Sequence, residues 1–211
     1  MFPDAQFQSV SAYDRNHVWA VGTIDNNTTA LIVHTIDGGG NWVRKGEADI
    51  PPDPTIYFAL IDVHTIHEDT VWAVGSKGSV FITTDGGENW VNKSWWDDRA
   101  CCGAGLTDYN GVCAVSDLSG WKALDPAGVC ITTNEGDSWD RQEIAFSYAS
   151  GFLLYGVTAL DKDTAWVVGG NPWGDPGLII HTTDGGKTPW QEQTNPVNAS
   201  LRRVSFSGDL R

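Results

Sequence analysis

Thr83-Thr84-Asp85-Gly86-Gly87-Glu88-Asn89-Trp90 decides the fold, because the chain repeats this octet at a nearly fixed interval. Near-copies stand at Thr35-Ile36-Asp37-Gly38-Gly39-Gly40-Asn41-Trp42, at Thr132-Thr133-Asn134-Glu135-Gly136-Asp137-Ser138-Trp139 and at Thr182-Thr183-Asp184-Gly185-Gly186-Lys187-Thr188-Pro189-Trp190. The steps from Asp37 to Asp85, Asn134 and Asp184 are 48, 49 and 50 residues, a period that marks repeated supersecondary units. The octet has the chemistry of a hairpin turn: the Asp carboxylate accepts hydrogen bonds from the N–H groups that follow it, and the glycines supply positive φ. The closing tryptophan, Trp42, Trp90, Trp139 or Trp190, is expected to pack each turn onto its own sheet.

Outward from the octets, alternating apolar residues and β-branched side chains predict four strands per repeat. In the second repeat they run over 59–65, 70–75, 79–83 and 90–93, in the first over 7–13, 17–21, 30–35 and 42–45, and in the fourth over 154–159, 164–168, 178–182 and 190–193. In these three repeats a first-strand valine precedes a second-strand tryptophan by nine residues: Val10 to Trp19, Val63 to Trp72, Val157 to Trp166. The third repeat deviates, with a short first strand near Leu106–Tyr109 and a second strand read at Gly111–Val115. Leu201–Phe206 matches the first strand of a further repeat.

The octet resembles the Asp-box, S/T-x-D-x-G-x-x-W, of the sialidase-like β-propellers, with Asn134 replacing the acid in the third copy and Pro189 inserted in the fourth. The resemblance implies an all-β β-propeller of four-stranded antiparallel blades, four complete and the first strand of a fifth. The blades fall at about 7–46, 58–94, 104–144 and 153–194, with a partial one at 201–211, forming a single propeller domain or an arc of a larger one. It also implies that Asp37, Asp85, Asn134 and Asp184 are structural. In texture the repeats are closest to those of the photosystem II stability and assembly factor type. Asp161-Lys162-Asp163-Thr164-Ala165-Trp166-Val167-Val168-Gly169, followed by Ile179-Ile180-His181-Thr182-Thr183-Asp184-Gly185-Gly186, is a good instance. A sialidase needs a cluster of arginines, whereas the seven arginines here are scattered and no Phe-Arg-Ile-Pro precedes the first box.

The 211 residues carry 13 basic and 27 acidic side chains, a net charge of −14, which argues against nucleic acid and anionic membranes as partners. No apolar run reaches membrane-spanning length, and Met1-Phe2-Pro3-Asp4 lacks the basic start of a signal peptide. An extracellular or periplasmic location is nonetheless expected, from eleven tryptophans in an acidic, glycine-rich β chain.

The turns around Asp14–Asn16, Glu68–Asp69 and Asp161–Asp163, together with the boxes, are short. The connections on the opposite face, 22–29, 47–57, 94–104, 116–128 and 169–177, are long, and long loops on a rigid scaffold are where binding sits. Trp95, Trp96, Trp121 and Trp173 fall in them beside Asp97, Asp98, Asp117, Asp125 and Asp175. Indole rings next to carboxylates suit sugars, so Trp95, Trp96, Asp97, Asp98, Trp121, Trp173 and Asp175 are the candidate ligand-binding set; rings that only pin loops to the scaffold are the alternative.

Cys113 and Cys130, aligned with Trp72 and Phe81, are expected to face one another across a hairpin as a disulfide, or to remain buried thiols. Adjacent Cys101 and Cys102 leave a vicinal bridge, an interchain bridge or free thiols open. No paired C-x-x-C is present, His64 and His67 make a weak metal pair, and His34 and His181 recur at one strand position, which argues for packing. No metal, cofactor or catalytic residue is therefore assigned. The expectation is a non-catalytic extracellular binding module for carbohydrate or protein, with self-association through open sheet edges as a further outcome. A propeller glycoside hydrolase fragment and a unit of a surface assembly are the alternatives.

Overall fold

The repeated valine, tryptophan and Asp-Gly-Gly positions become the fixed points of a four-stranded sheet. The computed structural model describes residues 2–25, 29–50, 59–94, 109–124, 128–144, 152–171, 175–195 and 199–206, which form four antiparallel four-stranded sheets and contain no α-helix. Sheet I consists of β1 (Gln6–Ala12), β2 (Val18–Ile24), β3 (Thr29–Thr35) and β4 (Val43–Lys45); sheet II of β5 (Leu60–Thr65), β6 (Val71–Gly75), β7 (Val80–Thr83) and β8 (Val91–Asn92). Sheet III consists of β9 (Tyr109–Ala114), β10 (Gly120–Leu124), β11 (Gly128–Thr132) and β12 (Asp140–Arg141); sheet IV of β13 (Leu153–Ala159), β14 (Ala165–Asn171), β15 (Asp175–Thr182) and β16 (Gln191–Glu192). Consecutive strands pair in every sheet, the meander expected of a propeller blade. One compact unit carries sheets I and II and a second carries sheets III and IV.

The Trp-x-x-Gly pattern of the second strand has a steric cause. The first strands of sheets I, II and IV break register between Phe7 and Ser9, Leu60 and Asp62, and Leu154 and Gly156, a bulge in the same place each time. Opposite it stand Gly22, Gly75 and Gly169, where a Cβ would collide with the carbonyl oxygens of Gln6, Ala59 and Leu153. The bulged strand leaves no room for a side chain there.

Within each unit, the core is the contact of one sheet with the next. In the first, Trp19, Val21 and Ile32 of sheet I bury against Leu60, Val63, Phe81 and Trp90 of sheet II. In the second, Trp121, Ala123 and Ile131 of sheet III bury against Leu154, Val157, Ile180 and Trp190 of sheet IV. Two of the box tryptophans, Trp90 and Trp190, therefore reach beyond their own sheets, whereas Trp139 packs under the Lys122 ammonium of its own sheet at 4.1 Å. Trp90 meets the preceding sheet's Trp19 edge-on, with ring centroids 5.8 Å apart, and Trp190 meets Trp121 in the same way at 5.5 Å. Each edge-to-face pair adds about 0.5–1.5 kcal/mol to the area it buries.

The third repeat corrects three expectations at once. Its first strand is β9, which contains Cys113, and its second is β10, which contains Trp121. Residues 116–124 are thus a turn and a strand rather than part of a long loop, and Trp121 is a fully buried core residue rather than a loop platform. The nine-residue interval applies here too, from Val112 to Trp121. Cys113 and Cys130 then occupy the first and third strands, with β10 between them, so that Cys130 pairs with Lys122. Two strand spacings amount to about 9.5 Å, beyond disulfide reach, and Cys113 is a buried free thiol. The expected bridge does not form.

Residues 201–206 carry no strand pairing, yet they run beside sheet IV: the Leu201 N–H donates to the Gly169 carbonyl at 3.1 Å, and Phe206 meets Trp166 at 4.8 Å. His34 and His181 do pack, each against the tryptophan across its own hairpin, Trp19 at 3.9 Å and Trp166 at 6.0 Å. In sheet I, Val10 is 65 % and Trp42 37 % exposed, whereas the matching Val63, Val157, Trp90 and Trp190 are buried.

Trp121→Ala is expected to cost about 3–5 kcal/mol of unfolding free energy, and Trp42→Ala, at a ring 37 % exposed, clearly less. Urea denaturation followed by far-ultraviolet circular dichroism measures both. Equal losses would contradict a third repeat whose second strand is β10.

Candidate functional site

A threonine hydroxyl is the hub of each box turn. Thr35, Thr83, Thr132 and Thr182 end the third strand of their sheets and are buried. The Thr35 hydroxyl donates to Asp37 Oδ1 at 2.7 Å and accepts the Gly39 N–H at 3.0 Å. Thr83 does the same with Asp85 (2.8 Å) and Gly87 (2.9 Å), and Thr182 with Asp184 (3.0 Å) and Gly186 (2.9 Å). The carboxylate then accepts from the residue four positions on: Asn41 and Asn89 through backbone N–H and side-chain amide, Thr188 through backbone N–H and hydroxyl.

The Asn134 turn solves the same problem with the polarity of one bond reversed. Its side-chain oxygen accepts from the Thr132 hydroxyl and the Ser138 N–H, while its amide donates to Ser138 Oγ at 2.9 Å. An acid needs a donor four residues later; an amide needs an acceptor. Ser138 supplies it.

Each turn is also clipped to the turn between the first two strands of its own sheet. The N–H groups of Gly38, Gly86, Glu135 and Gly185 donate to the carbonyls of Asn16, Asp69, Leu118 and Asp163 at 2.8–3.1 Å. The donor residue is left-handed in all four, φ 72°, 69°, 59° and 72°, and only in sheet III is it not glycine. Glu135 holds the strained position.

These bonds set the charge state of the boxes. The Asn41 backbone N–H, the Thr35 hydroxyl and the Asn41 amide all favour the ionised form of Asp37 and lower its pKa from 3.8 to about 2. Asp85 is lowered chiefly by the Asn89 side chain, and Asp184 by the Thr188 hydroxyl. All three sit on the solvent side of their turns, with their oxygens occupied by their own loop. Their role is to hold the turn.

Between the box turns of sheets I and II opens a cleft of about 570 Å³. Its rim carries the carboxylates of Asp37, Glu68, Asp69, Asp85 and Glu88 against a single lysine, Lys45, which is paired with Glu88 at 2.6 Å. His34 also lines it, 8 % exposed, its pKa lowered to about 4 by burial first and then by the charges of Lys45 and His17, against an opposing pull from Asp69. This cleft lies on the short-turn face, away from the long loops that the sequence marks for binding. Carboxylates facing each other across two adjacent turns become readable only once the sheets are known to be neighbours.

Of the candidate ligand-binding residues, Trp95, Trp96, Asp97, Asp98 and Trp173 lie outside the described residues, as do Cys101, Cys102 and Asp125. Asp175 begins β15, paired with Asn171. Trp121 belongs to the core, its indole N–H donating to the Asp161 carbonyl at 3.3 Å. Among the described residues no three His, Cys, Asp or Glu side chains form a metal-binding group.

No family model matches the chain. It is 25 % identical over 164 residues to the photosystem II stability/assembly factor HCF136, chloroplastic, of Arabidopsis thaliana, an alignment covering 75 % of this chain and 37 % of that protein, so it spans little more than a third of its relative's length. Among solved structures, YCF48 bound to D1 peptide superposes over 96 % of this chain and 72 % of its own with a TM-score of 0.51 at 14 % identity. YCF48 from Cyanidioschyzon merolae covers 97 % and 75 % with a TM-score of 0.45 at 17 % identity. These findings overturn the expectation of an extracellular or periplasmic carbohydrate-binding module. The curated relative is a chloroplastic assembly factor, the superposed YCF48 holds a peptide, and the buried Trp121 removes one of the expected sugar platforms.

Glu135→Gly relieves the left-handed strain and is expected to raise unfolding free energy by about 0.5–1 kcal/mol, read from urea denaturation. Because the folded pKa of Asp37 is depressed, its stabilising contribution is present above the unfolded value and is lost as pH falls through about 2. A carbon-13 titration of the Asp37 carboxyl is expected to give a midpoint near 2, and a midpoint near 4 would mean that the turn bonds are not formed in solution. The chain, four propeller-type sheets latched by threonine-centred turns, has weak sequence similarity to the photosystem II stability/assembly factor and shares a fold with YCF48.

Proposed function

We propose that this chain is an Asp-box repeat protein of the sialidase-like superfamily that works as a peptide-binding module, engaging a segment of a partner protein during the assembly or stabilisation of a larger complex. The observation that carries the reading is the similarity over 164 residues to a protein named as a stability and assembly factor. The fold shared with a YCF48 structure that holds a peptide adds support. The architecture suits the task, since rigid sheets joined by short latched turns present a surface at little conformational cost, and rigid receptors lose least on binding.

The chemistry of the turns is consistent with a scaffold rather than a catalyst. The depressed carboxylates Asp37, Asp85 and Asp184 are each satisfied by their own loops, which keeps them ionised and poor proton donors near neutral pH.

The test is a display library of random linear peptides panned against the full chain, followed by calorimetry with the enriched sequences as synthetic peptides. The expected outcome is a recurring motif with a Kd on the order of micromolar, lost on scrambling. Enriched peptides that bind no better than their scrambled versions would remove the reading.

A further inference from the structure

The cleft between the box turns of sheets I and II carries a second feature besides its charge. Two of its lining residues, Ile36 and Val43, are aliphatic side chains 68 % and 58 % exposed, standing beside the carboxylates. Below them His34 is more than nine-tenths buried, stacked on Trp19, and its Nε2 has no hydrogen-bond partner. A buried nitrogen left unpaired costs about 1–3 kcal/mol, which a ligand donor would recover.

The carboxylates differ in what they have left to offer. Asp37 and Asp85 are engaged by their own turns, and Glu88 holds Lys45. The Asp69 carboxylate receives no hydrogen bond among the described residues, and Glu68 has only a long contact to His17 Nε2 at 3.8 Å. Two carboxylates with spare lone pairs, an aliphatic wall and an unpaired neutral imidazole describe the complement of one kind of side chain. Lysine and arginine have an apolar stem and a cationic, multiply donating tip.

Resting on the peptide-binding reading above, we infer that this cleft receives a long basic side chain of the partner polypeptide, its stem against Ile36 and Val43 and its cationic head between Glu68 and Asp69 above His34. The neutral imidazole, in the tautomer protonated at Nδ1, accepts one N–H of the head. The rim's charge, five carboxylates against Lys45, draws the cation in and turns away acidic segments.

The experiment uses the full chain and two blocked peptides of glycine and serine that differ only at the central residue, arginine in one and its uncharged isostere citrulline in the other. The His34 imidazole resonances report on the site directly, and the arginine peptide is expected to move them saturably with a Kd on the order of millimolar. Citrulline leaves them in place. Glu68→Gln with Asp69→Asn is expected to weaken the arginine peptide about tenfold, while Glu135→Gln with Asp137→Asn, two carboxylates of the sheet III turn, changes nothing. His34 signals that stay still, or a loss equal in both double variants, overturns the assignment. If peptides from the display library bind while the His34 signals ignore arginine, the inference about this cleft falls and the peptide-binding reading stands.

Discussion

A hydroxyl group at the end of each third strand holds the structure in repeat. Thr35, Thr83, Thr132 and Thr182 each donate to the acid or amide two residues on and accept from the backbone four residues on. That fixes two consecutive left-handed residues, which aim one N–H at the neighbouring turn of the same sheet and deliver the closing tryptophan at a set angle. Without the hydroxyl, a backbone N–H and a carboxylate oxygen would lose their partner at the place where the chain reverses. The placement of Trp90 on Trp19 and of Trp190 on Trp121 depends on this small polar knot.

The knot therefore does two jobs on different length scales. Locally it replaces the backbone pairing that a tight turn cannot supply. Across a few ångströms it places Trp90 and Trp190 on the preceding sheet, so turn chemistry and core packing become one cooperative unit there. Thr and Trp are separated by seven residues in three boxes; Pro189 adds an eighth in the last, and the Trp190 ring is still seated. The loop absorbs the insertion because the Asp184 carboxylate takes its donors from Thr188, before the proline.

Most of the fold is legible in the sequence, since period, alternation and the nine-residue valine-to-tryptophan interval are direct imprints of sheet geometry. The threonine hub stands in plain view in all four octets, yet the acid draws attention first, because a hydroxyl that both donates and accepts leaves no mark on hydropathy or charge. The third repeat misleads for a related reason. Cys113 sits amid Val112, Ala114 and Val115 and looks like a second strand, while Ser116–Ser119 looks like a loop; the interval counted from Val112 is what gives Trp121 its seat. The acidic cleft has no sequence signature, because Asp37 and Asp69 become neighbours only when sheet I lies against sheet II. The role of the chain is the least legible part, since a surface assembled from several turns writes no contiguous motif.

The Asn134 turn has a consequence for how the molecule comes apart. An amide has no proton to gain, so acid that neutralises Asp37, Asp85 and Asp184 leaves the Asn134 and Ser138 pair untouched. Sheets I, II and IV would loosen at their corners while sheet III kept its own, and the order of melting in acid would differ from the order in heat. One side-chain nitrogen gives the middle of the chain a clasp that is blind to pH.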